Sequence, residues 1–216
     1  MLERAGRRLR RVGGRREVWL DVGAHLGEWT FPCAAGDPTL LVYAFEPNLA
    51  VAARRIGVLP NFVVLPMAVA EQDGCATFYL NTFAAASSLL PLNPEGVKRW
   101  IGGDSLQVDR QIVVSTIRLD TFLNLMEIEQ VDHLKIDAQG GDLSVVRSAG
   151  SRLAHIRKIS LEVQTTPTAL YCGAGGKDET TAYLQGANFD LVKSERQNHE
   201  QEENLVYVNR SFAGKR

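Results

Sequence analysis

The run Glu17–Asp21 (EVWLD) is β-type, and it breaks at once into a glycine-bearing turn, Asp21-Val22-Gly23-Ala24-His25-Leu26-Gly27, followed by a helical stretch through about Ala35. A strand that turns this sharply into a helix places backbone amides and glycines where a ligand can approach the chain closely. The pattern repeats. Leu40–Phe45 (LLVYAF) is an almost purely apolar run of strand length, as expected of a strand covered on both faces, and Pro47 suits the start of the following helix. Asn61–Leu65 reads as a third strand.

Alternation of short β-runs with amphipathic stretches argues for βαβ units and a mainly parallel sheet. Further strands are read at Val131–Asp137, Lys158–Glu162, Phe189–Val192 and Leu205–Val208, the last two as an antiparallel terminal hairpin. Helices are read at Asp120–Met126, Asp142–Ser148 and Glu179–Gly186, the last after the Gly-rich loop Cys172–Lys177. Ala76–Leu80 and Gln111–Ile117 are extra strands around a loop with Ser87 and Ser88 and a short helix near Gly96–Trp100. Such an insertion at a sheet edge is expected to form a lid over a site.

The 216 residues suit one domain, expected to span residues 17–216 behind a basic arm, residues 1–16. Seven arginines against Glu3 give the arm +6, which leaves −7 for the rest of a chain whose net charge is −1. An arginine run can hold phosphate, but no aromatic residue accompanies it for base stacking, so a solvated or docked arm is preferred and nucleic acid is an unlikely partner. No apolar run is long enough for a membrane span or a signal peptide, and a cytoplasmic location is expected. Cys33, Cys75 and Cys172 are odd in number and widely spaced, so they are read as reduced thiols.

The turn does not follow G-x-G-x-x-G, because His25 and Glu28 stand where the second and third glycines would be. Glu46 ends the second strand 23 residues after Gly23, about where a carboxylate accepts hydrogen bonds from two ribose hydroxyls. An adenosyl cofactor without a 2′-phosphate is implied. The alternative is that Asp21 and Glu46 merely cap helices.

Several segments, in order and spacing, resemble one family: DVGAHLGEWT, AFEPN, MAVAEQDGCATFYLN, TIRLDTFL, LKIDAQGGDLSVVRSAG and ENLVYVN. The resemblance, from about residue 17 to 210, is to the FkbM family of S-adenosylmethionine-dependent methyltransferases. It implies a class I methyltransferase fold, Rossmann-like, with strand order 3-2-1-4-5-7-6 and strand seven antiparallel. The implied activity is O-methylation of a hydroxyl on a secondary metabolite or on a sugar of a glycoconjugate. Carried over by position, Asp21, Gly23, Ala24, His25 and Gly27 would line the methionine part of S-adenosyl-L-methionine and Glu46 its ribose. Pro47 and Asn48 would lie beside the adenosine, and Ala68 and Val69 would flank the adenine.

The acceptor site of an open α/β sheet lies beyond the C-terminal ends of its strands. Asp137 and Glu162 end two neighbouring strands there, so both carboxylates should face one crevice. In-line methyl transfer needs an aligned oxygen and a group to take its proton. Asp137 is the first candidate for general base or orienting acceptor, and Glu162 for sharing that role or holding substrate hydroxyls. Each also has a structural reading, Asp137 as the cap of the helix near Gly141. Gln139, by its place in the stretch LKIDAQGG that carries the resemblance, and Ser88, by its place in the expected lid, are lower-ranked expected substrate contacts. No H-x-x-x-H or H-x-H pair occurs, and no third oxygen ligand joins Asp137 and Glu162, so no metal is expected. With little chain before the first strand, the crevice would be open to a bulky hydroxylated acceptor or completed by a second subunit in a homo-oligomer. Two other functions stay open: a nucleic-acid methyltransferase using the arginine arm, and a degenerate cofactor-binding domain without turnover.

Overall fold

The computed structural model describes residues 16–212. Of the basic arm only Arg16 falls among them, where its guanidinium donates to the carbonyls of Thr39 and Pro38. The rest of the arm lies outside the described residues.

Strand β1 (Glu17–Val22) leads through the glycine turn to helix α1 (Thr30–Gly36), then β2 (Leu40–Phe45), the single turn α2 (Leu49–Ala52) and β3 (Phe62–Leu65). The insertion follows as β4 (Ala68–Val69), β5 (Gly74–Asn81), α3 (Pro94–Arg99) and β6 (Val108–Ile117). The chain returns to the main sheet through α4 (Leu119–Leu125), β7 (His133–Ile136), α5 (Asp142–Ser148) and β8 (Lys158–Gln164). Helix α6 (Lys177–Gly186), β9 (Phe189–Gln197) and β10 (Glu202–Asn209) close it.

The main sheet has seven strands in the order β3-β2-β1-β7-β8-β10-β9. Numbered within that sheet, this is 3-2-1-4-5-7-6. All pairings from β3 to β8 are parallel, and β10 runs antiparallel to both β8 and β9. This is the class I methyltransferase architecture expected from the sequence. The insertion forms its own three-stranded sheet, β4-β6-β5.

Side chains alternate across each strand, and the two faces of the main sheet have different fates. On one face Leu20, Val22, Ile136, Ile159, Leu161 and Tyr207 pack with residues of α4, α5 and α6 into the main core. On the other, Val42 and Ala44 of β2 meet Ala34 of α1 and Phe62 of β3. The apolar run Leu40–Phe45 is therefore buried on both sides, with Tyr43 and Phe45 meeting Phe122 edge to face at 5.2 and 4.9 Å. Farther along this second face, beyond Trp19 and Trp29, the side chains of β8, β10 and β9 stay half-buried or exposed, apart from the buried Glu202.

Some boundaries differ from those expected. Helix α1 starts only at Thr30, because His25 and Gly27 take positive φ and the turn runs on past Gly27. Helix α3 starts at Pro94 rather than near Gly96, where the Asn93 side chain accepts the Glu95 amide and caps it. The terminal hairpin is longer than read, since β9 continues through the polar segment Lys193–Gln197.

Candidate active site

The turn after β1 is held between its neighbours. The amides of Gly23 and Ala24 both donate to the Phe45 carbonyl, at 3.1 and 3.0 Å, and Asp137 donates its amide to Val22 at 2.9 Å. Gly23 sits at φ +68, and a Cβ there would lie 1.9 Å from the Asp137 carbonyl oxygen. Only glycine lets β1 turn this close to the end of β7.

In front of this turn lies a cavity of about 460 Å³. Gly23, His25, Glu46, Pro47, Ala68 and Val69 line one part of it, and Asp137 and Gln139 another. The inserted sheet and the loop after β5 supply an apolar wall of Phe78, Ala84, Ala85, Leu89 and Leu90. Separate stretches of sequence named as site residues thus converge on one hollow.

Glu46 is buried, and its two oxygens each accept one backbone amide at 2.8 Å, Oε2 from His25 and Oε1 from Asn48. Burial raises its pKa, and the two amides act the other way. Each oxygen keeps a lone pair free. His25 stands in the left-handed region at φ 47, and its Nδ1 meets Glu28 Oε1 at 2.5 Å. Burial works to raise the Glu28 pKa, but His25 and nearby backbone hydrogen bonds together outweigh it and hold the carboxyl below its ordinary range.

Asp137 is oriented from two directions. Gln139 Nε2 donates to its Oδ1 at 2.7 Å, and Gln139 Oε1 accepts from Tyr171 at 2.8 Å. The Lys135 ammonium stands 3.7 Å from Asp137 Oδ2, 3.0 Å from Asp21 Oδ1 and 3.2 Å from the Gly23 carbonyl. Burial alone would lower the Lys135 pKa, but Asp21 and Asp137 hold it above the ordinary value. Lys135 was not singled out from the sequence, although it lies two residues before Asp137 and so on the same strand face.

Other expected residues lie elsewhere. Asp21 is buried below the cavity: in register it faces Lys135, and it accepts the Thr30 hydroxyl beneath α1. Ala24 packs into the core under α1. Gly27 faces the Phe62 ring, which a Cβ would approach to 2.7 Å. Asn48 caps α2, accepting the Ala50 amide. Ser88, expected to contact substrate, donates its Oγ to the Gln139 carbonyl and accepts the Leu90 amide, while Ser87 lines the cavity instead. The reason is the bridge between Tyr79 and Ser88, which turns Ser88 inward.

Glu162 is absent from the cavity wall. It joins Asp137 and Lys135 in a second, more open groove of about 700 Å³ along the sheet face. Burial first, then Asp137 and the hydrogen-bonded Glu202, push its pKa up to about 9. At neutral pH it is a carboxylic acid and a poor proton acceptor. Asp142, also buried, is pushed up to about 7 by burial and Asp137, and its carboxylate accepts the amides of Ala138 and Glu162. Among the described residues no group of three or more His, Cys, Asp or Glu could hold a metal ion, and no helix is long and apolar enough to cross a membrane.

The model of the methyltransferase FkbM domain matches residues 21–191. The AMB antimetabolite synthetase AmbE of Pseudomonas aeruginosa is 29% identical over 204 residues, covering 81% of this chain and 10% of that protein. The chain thus spans about a tenth of the length of this curated relative. The crystal structure of the methyltransferase FkbM from Methylobacillus flagellatus KT has a TM-score of 0.53 at 13% identity, covering 89% of this chain and 43% of that one. At that identity the likeness is one of fold.

Proposed function

Because the chain belongs to the FkbM family of methyltransferase domains, we propose that it transfers the methyl group of S-adenosyl-L-methionine to a hydroxyl of a small molecule. The observation that carries this reading is Glu46: a buried carboxylate fixed by two amides, with lone pairs left on both oxygens, on the wall of a 460 Å³ cavity. Vicinal ribose hydroxyls are its natural complement. The residues present fit the cofactor in other ways too. The small side chains of Ala68 and Val69 leave room for a flat base, and Gly23, packed against the Asp137 carbonyl, brings the cavity wall up to the end of β7.

When bound, S-adenosylmethionine supplies a methyl carried on a positively charged sulfur, given up to an attacking oxygen as the neutral thioether leaves. Asp137 takes the proton of the acceptor hydroxyl and orients its oxygen. Gln139 and Lys135 hold that carboxylate in place, and Tyr171 holds Gln139. The apolar wall contributed by the insertion keeps water from competing for the methyl. A secondary metabolite or a glycoconjugate sugar is the acceptor this reading favours. Its support is the similarity to part of a synthetase named for an antimetabolite.

Calorimetric titration with S-adenosylhomocysteine, with NAD as control, tests the reading. Micromolar binding of the former alone is expected. Binding of NAD, or of neither, would sink it.

A further inference from the structure

A nucleoside joined to an amino acid occupies most of a cavity of about 460 Å³. An acceptor needs other space that still reaches Asp137. The groove of about 700 Å³ on the sheet face supplies it, since Lys135 and Asp137 line both hollows.

This groove has an uneven charge. Asp137 stands 3.7 Å from Lys135, and Glu195 stands 2.6 Å from Lys193. Glu162 shares a hydrogen bond with Glu202 and is neutral at pH 7, and burial pushes His133 down to about 3, so it is neutral too. Lys158 remains. It is half-buried, and among the described residues it has no ion-pair or hydrogen-bond partner. Burial and then Lys193 lower its pKa.

The groove also has a direction. Lys135 pairs in register with Ser160, so Asp137 lies across from Glu162, and Lys158 lies four residues back along β8, roughly 13 Å away. Between the two ends, Trp29, half exposed and stacked on Trp19 at 5.2 Å, and Val206 offer apolar surface.

We propose that the acceptor lies lengthwise in this groove and carries an anionic group, a carboxylate or a phosphate, held by Lys158 beside Lys193 while its hydroxyl reaches Asp137. This rests on the methyltransferase reading and adds a substrate class to it. The apolar middle of such a molecule covers Trp29 and Val206. An elongated hydroxy acid or hydroxyalkyl phosphate satisfies both ends, and a neutral polyol leaves Lys158 unpaired.

The test is calorimetric titration of the full chain, saturated with S-adenosylhomocysteine, with three probes: ω-hydroxydecanoate, ω-hydroxydecyl phosphate and the neutral decanediol. At least one anion is expected to bind about tenfold or more tightly than the diol, the size of a charge-assisted hydrogen bond. Comparison of the acid with the phosphate tells which anion the groove prefers. Lys158→Ala is expected to bring the ratio to near one and Lys158→Glu to reverse it, with S-adenosylhomocysteine affinity unchanged in both as the check that each variant is folded. Equal binding of anions and diol, or a preference that survives Lys158→Ala, overturns the proposal. So does the failure of all three probes, the outcome expected if another segment or a second chain covers this face. Absence of S-adenosylhomocysteine binding in the unaltered chain is a different failure, because it removes the methyltransferase reading itself.

Discussion

Glu46 Oε2 accepts the amide of His25 at 2.8 Å, so the acid that ends β2 is tied directly to the turn that ends β1. The two halves of the proposed cofactor cradle are thus one hydrogen-bonded unit, and a change at Glu46 disturbs both.

Glu46→Gln keeps the shape but puts an amide nitrogen where an oxygen now accepts. It is expected to weaken S-adenosylhomocysteine binding by about 10- to 100-fold, the loss of one hydrogen bond to a charged group. Titration calorimetry reads this directly. An affinity within twofold of the unaltered chain would remove Glu46 from the cofactor site.

Asp137→Asn is expected to lower kcat by about 10²–10⁴ once an acceptor is in hand, while cofactor affinity changes by no more than a few-fold. Gln139→Ala leaves the carboxylate but frees one of its oxygens, so a smaller loss of about tenfold is expected. Steady-state kinetics of the pair gives the order. Full activity in Asp137→Asn would mean that another group takes the proton.

Lys135→Met leaves Asp21 buried beneath α1 with its charge unpaired. Removing one partner of a buried ion pair costs about 3–5 kcal/mol, and urea unfolding should show a loss of that order. The double variant with Asp21→Asn is expected to recover much of it. If the single variant is as stable as the parent, the ion pair at 3.0 Å contributes nothing.

Glu162 supplies a pH dependence of known sign. Its ordinary pKa of 4.5 rises to about 9 in the folded chain, chiefly through burial. The folded form therefore binds this proton more tightly than the unfolded form. The stability so gained is complete below about pH 4.5 and is lost as pH rises through 9. Thermal unfolding between pH 7 and 10 should show the parent Tm falling more steeply than that of Glu162→Gln, with Glu162 and Glu202 titrating as a pair. Parallel slopes would show that Glu162 is ionised throughout.

The parts of this molecule that could be read in advance are those where one residue type has one physical use. The apolar run Leu40–Phe45 had to be covered on both faces, and it is. An acid ending the second strand at Glu46 had a narrow choice of partners, and it faces the cavity. The second half of β9 was missed because an edge strand in water carries Lys193, Glu195 and Arg196 as readily as a loop does. Ser87 lines the cavity where Ser88 was expected, because the sequence of a connecting segment does not set its phase, and a shift of one residue exchanges inside for outside. Lys135 was passed over for the opposite reason. Strand alternation puts it on the face of Asp137, but a lysine there reads as a surface residue until the register across to β1 sets it opposite Asp21.

Two hydroxyls tie the loop after β7 to its surroundings: Ser88 Oγ donates to the Gln139 carbonyl, and the single Tyr171 proton is shared between Gln139 Oε1 and the Ala86 carbonyl, at 2.8 and 2.9 Å. Inserted sheet, strand end and the segment before α6 are thereby cross-braced like the poles of a tent. A hollow braced from three sides is built before its ligand arrives, so the cost of ordering it is met by folding and not by binding. The groove proposed for the acceptor lies outside this brace, so its lining along β8, β10 and β9 can change residue by residue while the brace keeps Asp137 aimed at the same point.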